Sequence, residues 1–196
     1  QETLICLSLS SKLSGTYQSA CLAKDMVDYE NIYIVDTLTA AAGIRLLCEV
    51  AINWIGENRC VEDIVSGLEE LKERVHIYAG LDTLEYLAKG GRISKTAAAI
   101  GTLASIKPII CVDHGEVVVA GKTRGVNKAT SVVCEKMQSD IVDTLYPVYT
   151  LYSYGLENVE KLESKLDLDV NRVRIGSTIG VHIGPNAFGV CFVSKL

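Results

Sequence analysis

Short apolar blocks alternate with stretches of helical spacing along the first third of this chain. "TLICLSL" (3–9) is largely apolar and "NIYIVD" (31–36) almost continuously so. They predict two strands of the kind found in parallel sheets covered on both faces. Between them, Leu13, Tyr17, Ala20, Ala23 and Val27 recur at helical spacing. Beyond "NIYIVD", Leu47, Ala51 and Ile55 line one face of a second helix, with Leu46, Val50 and Trp54 beside them and Thr37 and Thr39 as candidate caps. Val61, Ile64, Val65, Leu68 and Val75 mark a third helix. The order is βαβα.

From residue 75 the pattern changes. "VHIYAG" (75–80) reads as a strand, "DTLE" (82–85) as a capping box opening a short helix, and "KGG" (89–91) as its end. Ser94 is placed to cap a second small helix. "KPIICVDHGEVVVAGKT" (107–123) predicts a hairpin turning at "DHG". Val126, Ala129, Val133, Met137 and Ile141 predict a long helix, "PVYTLYSYG" (147–155) a strand, and "LENVEKLESKL" (156–166) a helix; two or three strands close the chain. The expected fold is α/β in two parts. Residues 1–74 form a partial, parallel, Rossmann-like domain, and residues 75–196 form a second α/β domain with a largely antiparallel sheet. Two parallel strands are few for a sheet. With Gln1 in place of an initiator Met, this predicts a preceding piece that completes the first sheet.

The 196 residues are 48% hydrophobic, ample for a buried core. A net charge of −5 shows no nucleic-acid footprint. The longest apolar stretch, 96–112, is interrupted by Lys107 and Pro108 and is too short to span a bilayer, so stable membrane insertion is not expected. The seven cysteines are scattered without a close pair, which argues against a disulfide framework or a zinc site. They read as reduced core thiols of a cytoplasmic protein.

Two stretches carry candidate chemistry. In "LSLSSKLSGTYQSA" (7–20) a strand meets a helix through Ser10, Ser11, Ser14, Gly15 and Thr16. Such a turn either binds an anion on free backbone N–H groups, with Ser11 adding its hydroxyl, or is a serine cap with nothing bound. In "IGVHIGPNAFG" (179–189) His182 stands among glycines inside a strand-like pattern. It is either a donor to a carboxylate or phosphate or a structural histidine on a backbone carbonyl. Lys89 and Arg92 around a glycine pair, and Lys122 and Arg124 in "GKTRG", are either solvated loop charges or anion contacts. No metal or cofactor motif and no nucleophile elbow is present in the sequence.

"LSLSSKLSGTYQSA", "IYIVD", "LDTLEYLAKGGRIS", "IKPII" and "GVHIGPNAFGV" follow one another as they do in the DegV family of bacterial fatty-acid-binding proteins, and the chain resembles that family from Leu4 to Val193. The resemblance implies two α/β domains with a long-chain fatty acid between them, and no cofactor besides that ligand. It places the lipid carboxylate on Ser11, with Ser10 as its neighbour, and on His182. It makes the protein a carrier that presents its lipid to a separate fatty acid kinase, which forms an acyl-phosphate for phospholipid synthesis. Arg92 and Arg124 match arginines associated with kinase docking or phosphoryl transfer. Two departures stand out: the family's Thr-Thr-Ser-Gln-Pro motif is absent, and "DTLTAAAG" (36–43) has alanines where relatives carry a serine and bulkier residues. The alternatives are a binding module or sensor for another acidic small molecule, and a Ser/His hydrolase or a subunit related to dihydroxyacetone kinases.

Overall fold

The computed structural model describes residues 2–94 and 105–195. The two apolar blocks form strands β1 (Leu4–Ser8) and β2 (Ile32–Asp36), which pair in parallel from Leu4 opposite Ile32 to Ser8 opposite Asp36. Helix α1 (Thr16–Asp25) packs against both strands of this pair, α2 (Ala42–Gly56) against β1 and α3 (Val61–Leu71) against β2. A 3-10 turn, Lys72–Arg74, leads into β3 (Val75–Gly80) and then the short α4 (Glu85–Lys89). Next come β4 (Ile106–Asp113), β5 (Glu116–Arg124), α5 (Val126–Ser139), β6 (Tyr149–Tyr152) and α6 (Glu157–Glu163). The chain closes with β7 (Asn171–Arg174), α7 (Ser177–Ile183) and β8 (Phe188–Val193).

Strands β3 to β8 make a six-stranded sheet in the order β5-β4-β3-β8-β6-β7, antiparallel except between β6 and β7. The period-two alternation of its strands feeds two cores. Ile77 and Ala79 of β3, Leu151 of β6, and Cys191 and Val193 of β8 face one side, where they join Leu46, Leu47 and Val50 of α2 and Leu68 of α3. Phe188, Val190 and Phe192 of β8 face the other, against Ala129, Val133 and Met137 of α5 and Val159 and Leu162 of α6. Buried on both faces, β8 is uniformly apolar. Helix α2 thus lies between the small parallel sheet and the large one.

Several local expectations are corrected. Thr37 and Thr39 do not cap α2: Ala41 occupies the N-cap and no side chain caps the helix. Five residues are needed to turn from β2 into α2, and Thr37 Oγ1 donates instead to the Ser8 carbonyl at 2.7 Å, tying the two strand ends together. Asp82 forms no capping box. It accepts from Lys107 at 2.6 Å and Asn186 at 2.8 Å, while Thr83 Oγ1 takes the Glu85 N–H. Ile55 and Ile141 are exposed. The tail holds two strands, but the segment around His182 is helix α7. Ile179, Val181 and Ile183 alternate as in a strand, yet Val181 is 66% exposed, while Ile179 and Ile183, one helical turn apart, both pack into the core. All seven cysteines are unpaired, but only Cys134 and Cys191 are buried; Cys6 and Cys60 are exposed. The small helix expected after Ser94 lies outside the described residues. Among those residues, no helix is long and apolar enough to cross a membrane.

Candidate ligand-binding site

The carboxyl ends of β1 and β2 point the same way, and the loops leaving them, 9–15 and 37–41, lie side by side. This is where open parallel sheets place ligands. Backbone and side-chain bonds stitch the loops together. Asp36 Oδ1 accepts from the N–H groups of Ser11 at 3.0 Å and Leu38 at 3.3 Å, and the Ser10 N–H donates to the Thr39 carbonyl at 3.0 Å. The tip of the β4–β5 hairpin presses on the same place. His114 and Gly115 both have positive φ, as a two-residue turn between twisted strands requires. Ser10 Oγ donates to the Gly115 carbonyl at 2.7 Å, and a Cβ on Gly115 would stand 2.6 Å from that oxygen.

The two adjacent serines are therefore not equivalent. Ser10 is fully buried and its hydroxyl proton is committed to Gly115. Ser11 is half-buried, its N–H is held by Asp36, and its hydroxyl has no hydrogen bond among the described residues. Residues 10–14 form a single turn, with the Leu13 and Ser14 N–H groups both donating to the Ser10 carbonyl. Helix α1 starts only at Thr16, so Ser11 does not stand at its N-terminus.

His182 sits in the last turn of α7, half-buried against α4. Its Nδ1 would lie 2.2 Å from a Cβ on Gly90, and the Tyr86 ring 2.4 Å from one on Gly184, whose φ is +77°. These glycines let α4 and α7 meet. Arg92, just beyond α4, donates through Nε to the Leu13 carbonyl at 3.1 Å and through Nη1 to the Gly90 carbonyl. It thus links the histidine's support to the serine loop.

Between these groups and the six-stranded sheet lies a narrow cavity of about 140 Å³. Ser14, Arg92, Thr178 and His182 are its polar wall residues. The rest is apolar: Ile77, Ala79, Ile110 and Leu151 of the sheet form its floor, and Ala40 and Ala41 of the second loop close it. Of the residues expected from sequence, the structure brings His182 and Arg92 to this cavity. Ser10 and Ser11 lie in the same loop as its wall residues Leu9, Leu13 and Ser14 but do not line it. Arg124 is exposed at the end of β5, outside the cavity wall. No hydrogen bond joins Ser11 to His182 and no carboxylate pairs with His182 among the described residues, so the two do not form an activated-serine arrangement. Those residues also hold no cluster of His, Cys, Asp and Glu suited to a metal. The sequence set Ser14 in the candidate anion-binding turn and marked the alanines of residues 36–43 as unusual, but nothing local showed that Ser14, Ala40 and Ala41 share one cavity wall.

A family model described as "Uncharacterised protein, DegV family" matches residues 1–195. A DegV domain-containing protein of Clostridium acetobutylicum is 35% identical over 195 residues, which cover 98% of this chain and 70% of that relative. A DegV lipid-binding protein of Thermotoga maritima superposes with a TM-score of 0.87 at 29% identity, covering 99% of this chain and 70% of that one. A DegV family protein of Thermus thermophilus, described for its fatty-acid binding, gives 0.87 at 29% identity over 98% of this chain and 71% of its own.

Proposed function

The chain belongs to the DegV family, and on that premise we propose that it binds a long-chain fatty acid and presents the carboxylate to a separate fatty acid kinase for acyl-phosphate formation. The ligand lies between segments 1–74 and 75–196, its tail entering the cavity over β3, β4 and β6, which at about 140 Å³ takes only part of a long acyl chain until it widens, and its head group toward Ser11 and His182. One observation supports this most: a largely apolar cavity with four polar wall residues, of which Arg92 and His182 both meet Gly90 and Arg92 reaches the serine loop beside Ser14, with Thr178 one turn before His182 on α7. An amphiphile with a single polar end matches such a lining. At about 0.8 kcal/mol per buried methylene, a tail of roughly fourteen methylenes contributes on the order of 10 kcal/mol before ordering costs. The head group then needs few hydrogen bonds to fix its orientation. The free Ser11 hydroxyl and the His182 imidazole supply donors for it. Exposed Arg92 and Arg124 are the contacts assigned to the kinase, by the affinity of guanidinium groups for phosphate and carboxylate.

Mass spectrometry of the organic extract tests the reading, comparing freshly purified protein with a mock preparation. Stoichiometric fatty acid is expected from the wild type, and Ser11→Ala and His182→Ala are expected to retain markedly less while melting within a few degrees of it. A short polar acid in the extract would favour the sensor-like alternative. No acid extracted, together with no binding of an added C16 acid, would overturn the reading.

A further inference from the structure

Among the described residues, six other than glycine have positive φ: Leu38, Ala41, Asn58, His114, Ile141 and Asn186. Asparagine and histidine tolerate the left-handed region better than most residues. Of the six, Ala41 alone lines the cavity. Its backbone, at φ 48° and ψ −118°, also lies outside the small left-handed region open to residues with a Cβ, where ψ is about +30 to +60°. These angles belong to the first central position of a type II′ turn, ordinarily glycine.

Elsewhere the chain uses glycine for left-handed backbone, as at Gly125 and Gly184. Alanine at 41 restricts the unfolded chain more than glycine would, but at positive φ the clash of the Cβ outweighs that gain. The neighbouring backbone holds the turn in place. The Thr39 carbonyl accepts from Ser10 at 3.0 Å, the Ala40 carbonyl from Gly43 at 2.9 Å and the Ala41 carbonyl from Arg45 at 3.3 Å. Such strain persists only where the surroundings force it, and it concentrates at functional sites. A methyl group is all that alanine adds to glycine, so a use for the strain has to be a use for that methyl.

Ala41 is half-buried and, with Ala40, closes the cavity above its sheet floor. The Ser10–Thr39 hydrogen bond fastens its loop to the serine loop, which the lipid reading gives to the head group. We infer that Ala41 is a specificity-determining residue: its methyl group closes the cavity around the first carbons of the acyl chain, so that a chain unbranched beside the carboxylate enters and one with a 2-methyl branch is rejected. This rests on the fatty-acid reading above and adds to it the class of acid preferred.

The test is titration of the whole, delipidated wild type, Ala41→Gly and Asn58→Gly proteins with a saturated C16 acid and with its 2-methyl derivative. The wild type is expected to bind the straight acid about tenfold or more tightly, the scale on which an apolar pocket reads one methyl group. Ala41→Gly is expected to bring the two acids within about threefold of each other and, without ligand, to melt a few degrees above wild type. Asn58→Gly also puts glycine at a positive φ, 59°, but on an exposed residue outside the cavity wall, and is expected to keep the wild-type preference. A wild type without preference, a preference unchanged in Ala41→Gly, or an Ala41→Gly protein melting at or below wild type overturns the inference and leaves the lipid reading standing. Loss of the preference in Asn58→Gly as well does the same. Failure of the wild type to bind either acid overturns both.

Discussion

His182 packs so closely on Gly90 that the glycine has become part of the site. Gly90 has an ordinary helical φ of −75°, so alanine fits its backbone, but the added Cβ would stand 2.2 Å from Nδ1. Gly90→Ala must therefore push the imidazole off the cavity rim. The expected result is at least a tenfold loss of C16 acid affinity with little change in melting temperature. Gly176→Ala, where the new Cβ meets nothing within 4 Å, is the control and should bind within about twofold of wild type. Equal affinities for all three proteins would remove His182 from the head-group site. A residue chosen for its side chain, His182, thus depends on one chosen for lacking a side chain.

Between elements, the contact that matters most for the site is the docking of the β4–β5 hairpin on the loop after β1. It rests on the Ser10–Gly115 hydrogen bond in a fully buried position. Ser10→Ala leaves the Gly115 carbonyl facing a methyl group and is expected to cost about 1–3 kcal/mol in urea unfolding. Ser11→Ala removes a hydroxyl with no protein partner and should cost under about 0.5 kcal/mol. The pair separates two roles that adjacent serines share in sequence: one holds the loop, the other is free for ligand. Equal destabilisation by both substitutions would refute that division.

The whole molecule should lose stability toward acid. Burial lowers the His76 pKa, against the opposing pull of Asp140, 3.8 Å away, and of Asp113. Burial alone would raise the Asp82 carboxyl, but hydrogen bonds from Lys107 and Asn186 hold it below its usual range. Arg172, then Thr150, do the same for Glu163 against its own burial. For each group the unfolded chain takes up protons at higher pH than the native one, so stability rises with pH across these titrations. The His76 contribution is complete above about pH 6.5 and is lost as pH falls from there toward its lowered native pKa. The carboxylate contributions follow below about pH 4. Thermal melts should be flat near pH 7–8 and decline below about 6.5. His76→Gln should flatten the upper part of that decline. Melting temperatures that rise on acidification from pH 7 to 5.5 would contradict this assignment.

Much of the architecture was determined by local pattern. The strands "TLICLSL", "IYIVD" and "VHIYAG", the hairpin at His114–Gly115 and the long helix from Val126 are all where periodicity and turn chemistry put them. The reason is that burying one face of a strand or helix demands a repeat of two or 3.6 residues, and that demand is written locally. The glycine-rich surroundings of His182 and Arg92 singled both out in sequence but left a structural histidine and a solvated arginine equally open; the cavity wall they share came from the tertiary structure. What only the tertiary structure decided depends on partners far away in sequence. Ile179, Val181 and Ile183 satisfy a strand pattern and a helix pattern alike, and packing against α4 selected the helix. Which of Ser10 and Ser11 keeps a free hydroxyl was settled by Gly115, 105 residues away from Ser10. The orphaned Thr39 hydroxyl reads in sequence as an ordinary helix cap. It is no cap in the structure, because the turn at Ala41 carried it past the capping position and buried it, and no local pattern encodes that burial.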